Sequence, residues 1–422
     1  MTAATARAAS SAAVLSVNAG SSSLKFAVYP CADNGGIEAA GLSGLVEGLE
    51  PDGQPRLTIR APGAEALVVA LAPQAGEGPF EAALRAVVDA VERQGGHRLV
   101  AVAHRIVHGG ARHAASVVID DEVLAFLETL CPLAPLHQPH NLAGVRAFRC
   151  ACPHLPQVAC FDTAFHATTP DLEKRFALPE SFNEQGVRRY GFHGLSYQYV
   201  SGLLAGVTPR ARGRVLIAHL GNGASLCAVQ DGRSIATSMG FSALDGLMMG
   251  SRCGALDAGV LLHLLRQGWT AEAIEELLYR KSGLRGVSGV SADMRTLRAS
   301  SEPAAQRAVA LFTYRLLREC GALAACLGGL DVLAFTGGIG EHDATLRREL
   351  CGRLAFLGLR LDDEANQRAD GRAPAALHAA DSRVELWVVP TDEGRVAARD
   401  ALALIAARAE PDAVPAAAHE AA

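Results

Sequence analysis

The chain has 422 residues, half of them hydrophobic but only 5% aromatic, with 43 glycines. That length points to two domains, and that composition to α/β cores with close helix–sheet packing. A net charge of −5 excludes nucleic acid and anionic membrane as the main partner, and no apolar run reaches the ~20 residues that cross a bilayer.

Ten cysteines, scattered without the even spacing of a secreted disulfide scaffold, fit a reducing, cytoplasmic setting. Cys150, Cys152, His154 and Cys160 lack the paired C-x₂-C knuckles of a zinc site and read as packing residues. Residues 1–13, rich in Ala, Ser and Thr without an apolar h-region, and the tail from Ala409 are expected to be flexible.

The first ordered stretch, 14–29, reads as a β-hairpin. Leu24, Phe26 and Val28 share one strand face, which sends Lys25 to the other. In the turn, Gly20 lets a ligand approach the backbone and Ser21, Ser22 and Ser23 offer hydroxyls, a combination that suits phosphate. Lysine is rare here: besides Lys25 there are only Lys174 and Lys281, so 36 of the 39 basic residues are arginine.

Short β-like runs at 56–59 and 67–70 extend an antiparallel sheet. The spacing of Phe80, Leu84, Val87, Val88 and Val91 predicts a helix ending at Gly95-Gly96. A buried strand over 99–103 leads into His104-Arg105-Ile106-Val107-His108-Gly109-Gly110. A short helix over 121–130 and a loop over 133–141 follow, then a strand over 157–161 ending in Asp162-Thr163.

The second half repeats the plan. Residues 215–229 align on 14–28 at a constant offset, with Val, Leu, Gly, Ala and Val identical. The repeated turn reads His219-Leu220-Gly221-Asn222-Gly223. Helices are predicted over 255–267, 271–280 and 302–327, and a strand over 331–335 runs into Thr336-Gly337-Gly338-Ile339-Gly340-Glu341. A last strand, 384–389, reaches Glu393, and a helix over 394–407 returns to the first domain. Five strands thus run out into polar or glycine-rich clusters at their carboxyl ends, where open α/β sheets bind ligands. A duplicated domain would set two such edges face to face across a cleft, an arrangement suited to phosphoryl transfer.

Seven stretches, in order from about Val14 to Leu404, resemble the acetate kinase family. They are Asn18-Ala19-Gly20-Ser21-Ser22-Ser23-Leu24-Lys25, the run 104–110, Phe161-Asp162-Thr163-Ala164-Phe165-His166, Arg189-Tyr190-Gly191-Phe192-His193-Gly194, the turn 219–223, Ser291-Ala292-Asp293-Met294-Arg295 and the run 335–341. The resemblance implies an α/β fold of duplicated actin/Hsp70/sugar-kinase-like (ribonuclease H-like) domains flanking a nucleotide cleft, 14–163 completed by 394–407, and 164–393. It implies reversible transfer of the ATP γ-phosphoryl to a short-chain carboxylate by direct in-line displacement, with Mg²⁺, in a homodimer.

By the same resemblance Arg105 and Arg252 are anion clamps, a role to which the planar guanidinium is suited. His193 stabilises the transferring group, and Asp162 occupies the family's acid/base position. The acceptor is already an ionised nucleophile, so Asp162 is expected to orient an arginine or the metal's water shell instead of abstracting a proton. Asn18 and Glu393 match the magnesium positions. Ser21, Ser23, Lys25, His219, Leu220, Gly221, Asn222, Gly223, Asp293, Met294, Arg295, Gly338, Ile339, Gly340, Glu341 and His342 are the expected phosphate and adenosine contacts. Val107, Leu136, Phe192 and Ala243 form the expected acyl pocket, with 137–140 as a loop beside it.

Three positions depart from the family pattern: Ala255 replaces an acid near Arg252, Ala243 a pocket proline, and Gly394 a second acid after Glu393. The expected activity is acetate kinase, with ATP/ADP as cofactor and no nucleic-acid or membrane partner. The alternatives are a propionate or butyrate kinase of the same family, and a non-catalytic nucleotide-gated binding protein.

Overall fold

The computed structural model describes residues 11–20, 23–49, 53–74, 78–94 and 96–409. Ser21 and Ser22, and most of the two expected tails, lie outside these residues. Ala12 and Ala13 are strand and not tail. Ala13 pairs with Pro30 and Leu99 and is fully buried, so the apolar pairing of the hairpin extends past its predicted start.

The chain divides into two compact units, Met1–Phe161 with Glu393–Ala422, and Asp162–Asp392. These boundaries lie one or two residues from those drawn on the sequence. Asp162 joins the second unit, where its carbonyl accepts the Gly194 N–H at 2.9 Å. Glu393 joins the first, as the opening residue of a helix, Glu393–Ala409, that packs on the first unit's sheet.

In the first unit β1 (Ala12–Ala19), β2 (Ser23–Pro30), β3 (Leu42–Glu47), β4 (Arg56–Arg60), β5 (Leu67–Ala70), β6 (Arg98–Ile106), β7 (Val117–Val118) and β8 (Gln157–Phe161) form one sheet. Its spatial order is β5-β4-β3-β2-β1-β6-β8-β7. In the second unit β9 (Arg214–Leu220), β10 (Ala224–Gln230), β11 (Arg233–Thr237), β12 (Val332–Thr336), β13 (Ala375–Ala376) and β14 (Glu385–Val388) take the order β11-β10-β9-β12-β14-β13. The two orders superpose strand for strand from β3 to β7. In both, the hairpin and its outer strand are antiparallel, the next two strands parallel, and the short last strand antiparallel again.

The copies differ in one detail that the constant sequence offset conceals. In the first hairpin Asn18 faces Lys25 and Ala19 faces Leu24. In the second His219 faces Ser225 and Leu220 faces Ala224, one position tighter. The turn bonds differ accordingly: Gly20 N donates to Ser23 O at 2.8 Å, Gly221 N to Gly223 O at 2.9 Å.

One local prediction needs correction. Residues 138–141, expected in a loop, open a helix, Gln138–Ala151. Its Pro139 stands in the first turn, where a missing N–H costs no hydrogen bond. The glycine run after β12 is likewise a helix, Gly337–His342, whose first N–H is capped by Glu341 Oε1 at 2.8 Å.

Candidate active site

In the first unit the candidate residues gather at the carboxyl ends of β1 and β6. These strands are parallel, and Val17 pairs with His104, so Asn18 and Arg105 stand beside one another. Lys25 is exposed on the same sheet face as Asn18, directly across the hairpin, while Leu24, Phe26 and Val28 are buried. Ser23 closes the turn as the acceptor of Gly20. Arg105 Nε lies 3.5 Å from Glu393 Oε2, so the expected carboxylate clamp and one expected metal ligand form an ion pair.

Asn141 ties the two strand ends together: its Nδ2 donates to Ala19 O at 2.6 Å and its Oδ1 accepts from Val107 N at 3.0 Å. Gln138 does the same for His108, accepting from its N–H at 3.2 Å and donating to its carbonyl at 3.1 Å. Both amides sit in the first turn of the helix that was expected to be a loop. Of the expected acyl pocket, Val107 is buried and Leu136 half-buried in this unit.

In the second unit His193 caps the helix Gly194–Val207 in a left-handed conformation, φ +60°. A histidine held there is unusual enough to mark a constrained position. Its Nδ1 is 2.7 Å from the Ser225 hydroxyl, and its ring stacks on His219 with centroids 4.3 Å apart. His219 Nδ1 in turn lies 2.8 Å from the Ser196 hydroxyl. A Cβ added to Gly223 would lie 3.1 Å from Arg252 Nη2 and 3.2 Å from His193 Nε2. Glycine therefore leaves open the one place where these two donors converge.

Arg252 is held on a rigid loop. Its Nη1 donates to Ala243 O at 2.6 Å. The neighbouring backbone is pinned by Ser282 N to Ser251 O at 3.0 Å and Arg285 N to Gly250 O at 2.9 Å. Gly250 N also donates to Asn222 O at 3.0 Å, which joins this loop to the 219–223 turn. Asp162 is buried beside the start of the His193 helix, and Phe192 is buried next to His193. Ala243 is half-buried.

The expected nucleotide contacts from 219–223, 293–295 and 338–342 lie in this unit. Gly337, at φ +74°, approaches Leu220 so closely that a Cβ there would meet the Leu220 carbonyl at 2.8 Å. Arg298 Nε donates to Asp343 Oδ2 at 2.8 Å, tying the helix Met294–Ala299 to the end of Gly337–His342. Leu220 and Met294 are buried, so their side chains belong to the core. Asp293 caps its helix and pairs with Arg295 at 2.6 Å, and this guanidinium holds its carboxyl down to about 2. Glu341 turns its carboxylate inward, accepting from Gly337 N, Thr336 Oγ1 and Thr391 N. It is therefore a brace for the glycine-rich helix. Gly338 and His342 are exposed, Ile339 half-buried, and Gly340 buried.

Arg347 was missed in the sequence. It is fully buried and donates to the Asn366 side chain and to the carbonyls of Gly340, Glu341, Asn366 and Ala369. It thereby anchors the carboxyl end of the Gly337–His342 helix. Among 36 arginines no sequence signal singled it out.

Strand-end cations, a histidine and arginine converging on a glycine, and a backbone-lined glycine turn are the equipment of phosphoryl transfer, which is chiefly positioning and charge neutralisation. The acetokinase family profile matches residues 13–399. The chain is 50% identical over 400 residues to the acetate kinase of Rhodopseudomonas palustris, covering 92% of this chain and 96% of that one. Among solved structures it resembles Porphyromonas gingivalis acetate kinase, with a TM-score of 0.83 and 37% identity over 94% of this chain and 100% of that one. It also resembles a propionate kinase from Francisella tularensis, with a TM-score of 0.84 and 34% identity over 92% and 98% of the two chains. The protein is a phosphotransferase with an α/β fold of the actin/Hsp70/sugar-kinase type. It belongs to the acetokinase family.

Proposed function

We propose that the chain is an acetate kinase that transfers the γ-phosphoryl group of ATP reversibly to acetate, giving acetyl phosphate. The observation that carries this reading is the convergence of His193 Nε2 and Arg252 Nη2 above Gly223. Two donors at fixed positions, one permanently charged, stabilise the negative charge that spreads over the equatorial oxygens during transfer. Arg105 binds the carboxylate, and within its own unit Val107 and Leu136 take the methyl group. The 219–223 turn, Asp293, Arg295 and the Gly337–His342 helix take the nucleotide, and Ser23 and Lys25 a phosphate. Asp162 orients the cationic groups, because acetate arrives already ionised.

Asn18 and Glu393 supply an amide oxygen and a carboxylate from one unit, hard donors of the kind Mg²⁺ takes, and few enough to leave positions for water and phosphate. When bound, the ion neutralises phosphate charge. Glu393 then serves two partners, since Arg105 already holds one of its oxygens.

Propionate is the second reading. It is favoured by Ala243 in place of the family's proline and by the likeness to a propionate kinase. A hydroxamate assay with ATP, Mg²⁺ and a panel of acids tests both. One methylene in an apolar pocket is worth ~1–3 kcal/mol of discrimination, so kcat/KM for acetate should exceed that for butyrate by roughly tenfold or more. A higher value for propionate or butyrate overturns the acetate assignment. Absence of any hydroxamate overturns the kinase reading.

A homodimer is supported by the exposed apolar side chains Leu256, Val260, Leu262, Leu265 and Trp269 around the helix Ala258–Arg266. Sedimentation of a single 44-kDa species at micromolar concentration would refute it. Ten free thiols support a cytoplasmic setting. No helix among the described residues is long and apolar enough to cross a membrane.

A further inference from the structure

We propose that Tyr197 and Ser225 form a directional hydrogen-bond chain that fixes the tautomer of His193, placing its proton on Nε2, where the phosphoryl group is received. The inference rests on the reading of His193 as the donor to the transferring group and adds two positioning residues to it.

The chain runs from Tyr197 Oη to Ser225 Oγ at 2.5 Å and from Ser225 Oγ to His193 Nδ1 at 2.7 Å. Tyr197 and Ser225 are both fully buried. The Tyr197 ring packs between Phe165 and the edge of His166. His166 has both nitrogens engaged, by Ser234 Oγ and by the Phe192 carbonyl. Among the described residues the Ser225 oxygen is the one acceptor within reach of the phenolic proton. A buried hydroxyl proton without an acceptor is costly, so Tyr197 donates to Ser225. Burial also raises the Tyr197 phenol well above its ordinary range, which keeps that proton in place.

Ser225 has one proton of its own and two possible recipients, Tyr197 Oη and His193 Nδ1. Tyr197 is already donating, so both hydroxyl protons find acceptors only if Ser225 donates to Nδ1. A neutral imidazole whose Nδ1 accepts carries its hydrogen on Nε2. Nε2 is the nitrogen that faces Arg252 across Gly223. The chain thus selects the donating form of neutral His193 without requiring a charged imidazolium beside Arg252. Sequence gave no hint of this, because Tyr197 and Ser225 lie in apolar helix and strand patterns.

The test is a long-range ¹H–¹⁵N correlation spectrum of the full chain labelled at histidine. His193 is identified by the resonance lost in His193→Asn, since asparagine accepts the left-handed backbone. In the native protein His193 is expected as the Nε2–H tautomer. Tyr197→Phe frees the Ser225 proton, so the His193 resonances should move toward a tautomer mixture. In the same variant kcat should fall roughly fivefold, the scale of one hydrogen bond. KM for ATP and acetate should stay within about twofold, because the donor acts on the transition state. Ser225→Ala should shift the spectrum further and Ser225→Thr should restore it.

An Nδ1–H tautomer in the native protein overturns the inference. So does a Tyr197→Phe enzyme with unchanged spectrum and kcat, or one that changes KM alone. If Tyr197→Phe does not fold, the native spectrum and Ser225→Ala decide. A native protein without kinase activity defeats the functional reading while leaving the tautomer legible, whereas an active enzyme with Nδ1–H defeats this inference alone.

Discussion

Arg105 and Glu393 form an ion pair, Nε to Oε2 at 3.5 Å, between β6 and the first residue of the C-terminal helix. Two groups proposed for separate tasks, carboxylate binding and metal binding, therefore share one electrostatic contact. Glu393→Gln is expected to raise KM for acetate as well as the Mg²⁺ requirement. The effects of Arg105→Ala and Glu393→Gln should fail to add by at least ~0.5 kcal/mol in kcat/KM, as contacting residues do. Steady-state kinetics of the double-mutant cycle check this, and strict additivity would contradict it.

Arg252→Ala should lower kcat by roughly 10²–10³-fold, the loss seen when one fixed donor is removed from a developing charge. Arg252→Lys should recover little, because an ammonium cannot keep the Ala243 carbonyl and the Gly223 side at once. Gly223→Ala places a methyl 3.1–3.2 Å from Arg252 Nη2 and His193 Nε2. It should depress kcat severely with an unchanged melting temperature. Normal turnover in Gly223→Ala would show that the reacting group sits elsewhere.

Gly394 is explained by its neighbour. A Cβ there would come within 2.4 Å of the hydroxyl of buried Tyr29. Gly394→Glu alone, which restores the family's second acid, should cost ~1–3 kcal/mol of stability through overpacking. Tyr29→Val should relieve part of that loss in the double variant. Urea denaturation of the three variants tests the coupling, and equal effects of Gly394→Glu in both backgrounds would rule it out.

Acid should destabilise the fold through histidines. Burial lowers His104, His108 and His166 to about 4, and the unfolded chain titrates near ~6.5. Below the unfolded value the unfolded state binds protons that the native state refuses, so stability falls as pH drops from ~6.5 toward 4. Each such group contributes up to ~1.4 kcal/mol per pH unit in that window. Their contribution is constant above it. Denaturation midpoints at pH 7.5, 6 and 5 measure the slope, and His166→Phe should flatten it if the variant folds. A midpoint that stays level down to pH 5 would refute the assignment.

The hairpins, the parallel core strands and their polar carboxyl ends were legible because alternation and motif carry them. Asn18, Lys25, His193, Arg252 and Gly223 could be singled out as candidates for the same reason. What escaped is physically different. Gln138 and Asn141 fold into a helix because Pro139 is harmless in a first turn, although the same proline reads as a breaker. Glu341 was expected as a nucleotide contact, and its carboxylate also accepts from Gly337 N, Thr336 Oγ1 and Thr391 N, bonds that no sequence pattern announces. Ser225 and Tyr197 act through hydroxyls buried in apolar elements, and Arg347 binds only carbonyls and an amide. None of these leaves a periodic or charge signature.

The one-position difference between the two hairpins makes their turns non-interchangeable. Grafting the turn 221–223 into the place of 20–22, an exchange that sequence alignment calls neutral, would pull β2 one residue along β1. Strand side chains alternate, so Leu24, Phe26 and Val28 would swing onto the face of Asn18, and Lys25 would be driven into the core. A chimera built that way should express as insoluble material, while one that also deletes Ser23 should fold, because Leu24 again faces Ala19. The two halves are thus held apart at the level of register, and they cannot be recombined by alignment alone.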